Sequence, residues 1–192
     1  LVIVLYALLP FFMAFEGRKP EVRELVVLAT MIALATAGRA AFFMTPSFKP
    51  IIAIVIISAI AFGAEAGFLV GSMTMLVSNF LFGQGPWTPW QMFAMGFIGF
   101  LSGILYRLRI LPTKRLQLSV YGFLVTFMIY GGIMNPAALF MSVYQFSWSG
   151  LLAIYISGVP VDLVHASSTF LFLWIGAKPV SYTHLRAHET SA

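Results

Sequence analysis

The chain alternates long apolar runs with short polar segments, and polar positions do not recur regularly within the runs. Continuous runs of this length indicate membrane-spanning helices, because barrel strands alternate apolar and polar positions. Seven runs predict one N-terminal helix and a six-helix core: 1–15, 25–44, 51–62, 68–82, 87–106, 118–134 and 151–175. Some fall short of the roughly 20 residues that a straight span needs, so they must borrow loop residues or pack inside the bundle.

The polar segments between the runs differ in character. Residues 45–50 predict a loop with two prolines, and residues 63–67 predict a tight turn with two glycines. Residues 107–117 predict a strongly basic loop. Residues 79–91 and 135–150 combine amide and aromatic side chains with helix breakers or turn formers, which makes them the candidates for recognition.

Composition supports the membrane assignment. Hydrophobic residues make up 60% of the 192 residues and charged residues only 9%, whereas about a quarter is charged in soluble domains. The fold class expected is therefore an all-α integral membrane protein. The net charge of +5 does not indicate nucleic acid as a partner, because the basic residues lie between apolar runs. Without cysteine there is no disulfide framework and no thiolate metal site.

The domain organisation follows from these runs. The first residue is not Met and lies inside an apolar run, so we expect residues 1–15 to be a truncated transmembrane helix. A charged linker follows at 16–24, and the six-helix core occupies 25–179. Residues 180–192 shift abruptly in composition and resemble translated adapter sequence. We expect this tail to be non-native and set its charged residues aside.

The basic residues predict the orientation of the bundle. Alternating spans place one group of segments on one side, and that group holds eight basic residues: Arg18, Lys19, Arg23, Arg107, Arg109, Lys114, Arg115 and Lys178. The opposite side holds only Arg39 and Lys49. Because basic residues favour the cytoplasmic side, we expect linker 16–24 and loop 107–117 to be cytoplasmic. Segments 39–50, 79–91 and 135–150 would then share the outer face.

The segment 79–91 is the main candidate for a binding element. Its amides and tryptophans are Asn79, Gln84, Trp87, Trp90 and Gln91. Tryptophans at this position are also typical of an aromatic belt at the membrane surface. Aromatic walls with a few amides, however, are the usual lining of small-molecule pockets. A second outer set has the same two interpretations: Tyr130, Asn135, Tyr144 and Gln145.

Three ionisable residues complete the candidate list. Arg39 is interpreted either as an interface anchor or as an anion-binding group. Asp162 and His165 are three apart in the last span and share a helix face. Ionisable groups at membrane depth usually face a cavity or a partner, so the two predict either a ligand or gating contact or a structural pair. Two residues are too few for a metal site, and no cofactor is expected.

Catalytic signals are poor. The sequence has no zinc-protease H-E-x-x-H motif, no G-x-S-x-G nucleophile elbow and no phosphate-binding loop. Glu65 falls in the predicted cytoplasmic turn, where a solvated or interfacial carboxylate is the simplest interpretation. An intramembrane hydrolase using Asp162 and His165 would lack a nucleophile and a third ligand. The sequence therefore predicts that the protein is not an enzyme.

Small residues recur on one face of the second run. Ala29, Ala33 and Ala37 are spaced by four residues, so they lie on one narrow helix face. Small residues at this spacing permit close approach of another helix, which is either a neighbour in the bundle or a partner protein.

These features together resemble the substrate-binding S component of energy-coupling factor (ECF) vitamin transporters. The alanine face resembles the small-residue motif on the first core helix of that family, and residues 62–71 resemble its helix 2–3 turn. Residues 82–92 resemble the helix 3–4 loop of a corrinoid-associated branch. The N-terminal helix is a departure, because many members lack it.

The resemblance implies a transport function in a prokaryotic cell membrane. The S component binds a vitamin at its outer face, docks through the alanine face on a transmembrane coupling subunit with two ATPases, and topples to deliver the ligand. The resemblance also implies that cobalamin or a related corrinoid is the first candidate ligand. Riboflavin, pyridoxine, hydroxymethylpyrimidine and a queuosine precursor are alternatives. A cell-shape membrane protein of the MreD type is the structural alternative, and it would need no outer pocket.

Overall fold

The computed structural model describes residues 2–17, 20–111, 114–142 and 146–189, excluding the side chains of 3–5 and 177–189. Within these ranges every regular element is helical, and five helices are long and apolar enough to cross a membrane. The predicted all-α membrane fold, with an N-terminal helix before the core, is thereby confirmed. The first five helices are α1 (Val2–Gly17), α2 (Val22–Ala41), α3 (Ile51–Phe62), α4 (Ala64–Phe82) and α5 (Thr88–Arg107).

The C-terminal half is a long helical hairpin. Its first arm joins α6 (Arg115–Val125), a π-helical turn (Thr126–Tyr130) and α7 (Gly131–Ser142), and its second arm is α8 (Trp148–Glu189). Both α6 and α7 pack against α8, and the π-helical turn lies between them.

The turn predicted at 63–67 is wrong in extent. Gly63 alone breaks the chain, with a φ of 95° that favours glycine, and α4 begins at Ala64. Glu65 lies in the first turn of α4, where a carboxylate complements the helix dipole. Gly67 is a packing position instead of a turn residue, because a Cβ there would lie 2.8 Å from the carbonyl oxygen of Gly99.

The polar and aromatic segment 135–150, predicted to lie between two spans, is also largely helical where it is described. Helix α7 continues through Pro136 to Ser142. Proline cannot donate to the carbonyl four residues before it, and the Tyr155 hydroxyl instead donates to that Gly132 oxygen at 2.9 Å. A hydrogen bond from the neighbouring helix thus satisfies the acceptor that Pro136 leaves open, which sequence periodicity does not reveal.

Helices α4 and α5 are packed almost backbone to backbone. Gly67 and Gly71 of α4 face Gly99 and the Met95 carbonyl of α5, and a Cβ at any of these glycines would collide with backbone. Ser72 also donates across the helix pair to the Met92 carbonyl at 3.0 Å. These glycines therefore allow the two central helices of the bundle to pack closely.

The N-terminal helix packs on this central pair. The Phe11 ring stacks on Phe68 at a centroid distance of 4.0 Å and meets Phe100 edge-on at 5.0 Å. Leu8 and Phe15 are buried along the same helix. Helix α1 is thus an integral part of the described bundle.

Helix α2 has little burial against the rest of the chain. It buries Leu28, Ala35 and Thr36, whereas the small-residue face is exposed along its length. That face consists of Ala29, Ala33 and Ala37. Neighbours inside the described bundle therefore do not account for the alanine spacing.

Contacts between helices gather the loops at two ends. Gly103 of α5 meets Ala64 at the start of α4, and Arg115 of α6 lies over the Trp174 ring at 4.1 Å. At the other end, the C-terminal turn of α2 contacts the C-terminal part of α4. The basic loop 107–117 and the segment 39–50 thus lie toward opposite ends, while the side of the membrane that each faces remains a prediction.

Candidate functional site

The guanidinium of Arg39 is held at the end of α2 by two side chains of α4. Its Nη1 donates to Ser78 Oγ and to Asn79 Oδ1, both at 2.6 Å. The guanidinium carbon also lies 5.3 Å from the centre of the Phe82 ring, within cation–π range. Both hydrogen-bond partners are neutral and fully buried. They fix the position of the cation without neutralising its charge.

Asn79 links α4 to the first turn of α5. Its Nδ2 donates to Thr88 Oγ1 at 2.9 Å and to Gln91 Oε1 at 2.8 Å. The Thr88 hydroxyl also accepts from the Gly85 backbone at 3.3 Å. Pro89 follows in the first turn of the helix, where a missing N–H is tolerated. The broken segment before α5 therefore places two polar side chains against the Asn79 amide.

Tyr130 continues the polar chain into the hairpin. It is buried, lines the same cavity as Gln91 and interacts with the Gln91 amide. Tyr130 ends the π-helical turn that begins at Thr126, whose hydroxyl meets that of Thr169 at 3.0 Å. An extra residue in a helical turn rotates the following side chains by about 100°, and such insertions are frequent at functional sites. On the other side, the Tyr130 ring lies 5.2 Å from that of His165.

A cavity of about 180 Å³ borders this polar chain. It is lined by residues from seven parts of the fold: Arg39, Ser47, Lys49, Ile51, Ile52, Met75, Gln91, Met95, Tyr130, His165 and Thr169. Four of the residues predicted for binding meet here, namely Arg39, Gln91, Tyr130 and His165. Asn79 lies behind them and positions Arg39 and Gln91. The cavity thus combines polar and cationic groups with four apolar side chains.

The loop after α2 supplies a second cation, which the sequence reasoning did not select. Lys49 Nζ donates to the Thr45 carbonyl at 3.3 Å, and the Lys49 carbonyl accepts from Ser168 at 2.8 Å. Burial, and then the positive charge of Arg39, lowers the pKa of Lys49 below its ordinary value. Lys49 and Arg39 are the only basic residues in the segments predicted to face outward. The scarcity of basic residues in these segments would have identified Lys49 as a candidate binding residue.

Ser47 and Thr169 were also missed. Both are small hydroxyl residues that carry no pattern of their own, and the loop and α8 bring them to the cavity.

Asp162 and Asn135 form a pair beside the cavity and not in its wall. Asn135 Nδ2 donates to Asp162 Oδ2 at 2.7 Å, joining α7 to α8. The carboxylate packs so closely on Gly131 that a Cβ there would lie 2.6 Å from Oδ2. His165, three residues on, lines the cavity instead, and its buried Nδ1 lacks a hydrogen bond of normal geometry. Asp162 and His165 thus have separate surroundings. The arrangement favours a structural role for Asp162.

The remaining residues of the broken segment lie away from the cavity wall. Gln84 is exposed and donates weakly to the Leu76 carbonyl at 3.3 Å. The Trp87 side chain packs on Gly85 and stays 40% exposed, and Trp90 is half-buried. Tyr144 and Gln145, also predicted for binding, lie outside the described residues. In the part of the chain that is described, no group of three or more histidine, aspartate or glutamate residues is arranged to hold a metal.

Comparison with known proteins identifies the family. No curated protein and no solved structure is significantly similar to the chain. The family model described as ECF-type riboflavin transporter, S component, matches residues 19–175, which is well over half of the chain. The match supports neither an enzyme nor the structural cell-shape alternative. It implies a vitamin as ligand and the coupling and ATPase modules as partners. The chain therefore belongs to the S-component family of ECF-type riboflavin transporters, as a multi-pass membrane protein.

Proposed function

We propose that this subunit captures a vitamin with a planar heteroaromatic ring in the cavity beside Tyr130 and presents it for import. The observation that carries the proposal is the polar chain along the cavity wall. It runs from Arg39 through Asn79, which lies behind the wall, to Gln91 and Tyr130, so four helical elements are joined around one cavity. An aromatic wall with placed amides and a cation suits a ring that carries carbonyl and nitrogen acceptors.

The size of the cavity favours a compact ring over a corrinoid macrocycle. An apolar cavity of about 150 Å³ accommodates benzene, whereas pockets for whole drug-sized ligands are about 300–1,000 Å³. At about 180 Å³ the cavity suits one ring system. A flavin is our first candidate, since the matching family is described by riboflavin. Its ring would enter the cavity and its side chain would extend toward the outer surface.

A corrinoid remains the second candidate because of the segment 82–92. That segment resembles the corrinoid-associated branch, and Trp87 is exposed at its surface. A large ligand would then lie over this segment and contact Gln84 and the tryptophans, with little of it inside the cavity.

A pair of glutamine variants separates the two ligand positions. Gln91→Leu removes an amide from the cavity wall, and Gln84→Leu removes one from the exposed segment. We expect Gln91→Leu to weaken flavin binding about tenfold, since a lost hydrogen bond costs on the order of 1.4 kcal/mol. Gln84→Leu should leave it unchanged. Quenching of flavin fluorescence by the purified protein measures the affinity of each variant. Weaker binding by Gln84→Leu, with unchanged binding by Gln91→Leu, would favour the exposed segment as the site.

We further propose that the alanine face of α2 docks on the coupling subunit and that the bundle topples to release its ligand inward. The support is that Ala29, Ala33 and Ala37 are exposed on a helix that buries only Leu28, Ala35 and Thr36 among its described residues. Small side chains permit the close helix approach that such a contact requires. The cytoplasmic assignment of loop 107–117 belongs to the same proposal.

A bulky substitution tests the docking face. Ala33→Trp should abolish co-purification with the coupling subunit and ATPases while the isolated subunit still binds its ligand. Leu34→Trp is the matched control, because Leu34 is exposed on the same helix turn but lies about 100° around it. Full assembly of Ala33→Trp would contradict the assignment of this face.

A further inference from the structure

The cavity wall holds two cations and no carboxylate. Arg39 and Lys49 both line it, and no aspartate or glutamate is among the lining residues. Their hydrogen bonds in the described part of the chain go to neutral acceptors only: Ser78, Asn79 and the Thr45 carbonyl. The Asp162 carboxylate is not among the lining residues and accepts a hydrogen bond from Asn135. The positive charge of the wall is therefore not compensated by these neighbours.

Such an arrangement of charges is unfavourable by itself. Two like charges close together repel each other, and partial burial removes the water that would otherwise screen them. Burial, and then the positive charge of Arg39, lowers the pKa of Lys49. Uncompensated ionisable groups in a membrane protein usually mark a ligand or ion pathway. A bound anion would relieve the repulsion and the lost hydration at once.

The geometry of the donors suits an anionic oxygen group. Both hydrogen bonds of Arg39 in the described chain use Nη1, so Nη2 and Nε remain as donors for a planar or tetrahedral oxyanion. Lys49 adds a point charge from the loop, and the Ser47 and Thr169 hydroxyls line the same space. Tyr130 and His165 form the aromatic side of the cavity.

We infer that the preferred ligand carries a single anionic group, a phosphate monoester or a carboxylate, bound between Arg39 and Lys49 with its ring against Tyr130. This inference rests on the proposed ligand capture at the same cavity, and it selects the charged member of a vitamin class over the neutral one.

Matched ligand pairs test the inference. Binding is measured by titration calorimetry on the full chain in nanodiscs of neutral lipid, so that no anionic headgroup competes. The pairs are riboflavin with its 5′-phosphate, pyridoxine with its 5′-phosphate, and nicotinamide with nicotinate. We expect the anionic member of at least one pair to bind ten times more tightly or better. A phosphate-only or a carboxylate-only preference identifies which anionic group is selected.

Lys49→Met provides the decisive variant, because within the described residues the Lys49 side chain makes a single long hydrogen bond, to the Thr45 carbonyl. It should reduce the affinity for the anionic member to that of the neutral one, while Lys49→Arg keeps most of the preference. Arg109→Gln, which removes an exposed cation of the basic loop, should change nothing. Equal binding of neutral and anionic members, unaffected by Lys49→Met, would overturn the inference while supporting capture at the cavity. Absence of binding by all six compounds would overturn both.

Discussion

Asn79 offers the most direct test of how the site is built. Its amide is fully buried and makes three side-chain hydrogen bonds, one from Arg39 and two to residues of α5. Leucine has the same branched arrangement of heavy atoms as asparagine but no polar atoms, so Asn79→Leu removes these bonds without leaving a cavity. The change leaves the Arg39 guanidinium, the Thr88 hydroxyl and the Gln91 amide without their shared hydrogen-bond partner.

The expected loss follows from those bonds. A neutral hydrogen bond contributes about 0.5–1.5 kcal/mol, and bonds between transmembrane helices average about 0.6 kcal/mol. One bond here is charge-assisted, which adds to its strength, so we expect a loss of about 2–3 kcal/mol in the free energy of unfolding. In a chain of this size each kcal/mol shifts Tm by about 2–4 °C. The variant should therefore melt about 4–12 °C lower.

Thermal unfolding of the purified protein, followed by circular dichroism, measures the shift. Ser58→Ala is the control, because Ser58 is equally buried but bonds only within its own helix, to the Ile54 carbonyl at 2.8 Å. Its Tm should change by no more than about 3 °C. Ligand affinity should fall for Asn79→Leu alone, since Arg39 and Gln91 lose their common support. A Tm within 1 °C of the parent protein, with unchanged affinity, would refute the central position of Asn79.

Three further predictions concern other parts of the molecule. Lys49 is charged below its lowered pKa, near Arg39 and His165, so affinity for a phosphate ligand should fall as pH rises from 7 toward 10. Calorimetry should show no such fall for Lys49→Arg. Gly99→Val should prevent the close approach of α4 and α5, and size-exclusion chromatography should then show the loss of a monodisperse peak. Gly132→Ala is the control and should give a normal peak, because the added Cβ would lie in open space. Phe11→Ala removes a stacked pair and should lower Tm by about 2–4 °C for each kcal/mol lost, with ligand affinity unchanged.

The sequence predicted the helices because hydropathy and helix breakers are local signals. The ends of α3 and the start of α5 near Trp87 were predicted from glycine, proline and apolar runs alone. The extent of α4 and α7 was not predicted, since it depends on contacts between helices. The carbonyl of Gly132 accepts a hydrogen bond from the Tyr155 hydroxyl. No local sequence pattern predicts that hydrogen bond.

The site was predicted in part for the same reason. Arg39, Gln91 and Tyr130 are conspicuous as polar groups near the ends of apolar runs, and the structure gathers them at one cavity. Ser47 and Thr169 are inconspicuous in sequence and reach it only through the loop and the hairpin. The position of Tyr130 also depends on a π-helical turn, whose rotation cannot be deduced from spacing.

Helix α2 carries both the alanine face and Arg39, which lies two residues beyond Ala37. If docking moves this helix, it changes the affinity for the ligand, and thermodynamic linkage then requires the ligand to change the affinity for the coupling subunit by the same factor. Loaded and empty subunits would consequently compete unequally for a coupling module present in limited amount. One helix would thus set which vitamin receptor gains access to the ATPases at a given moment.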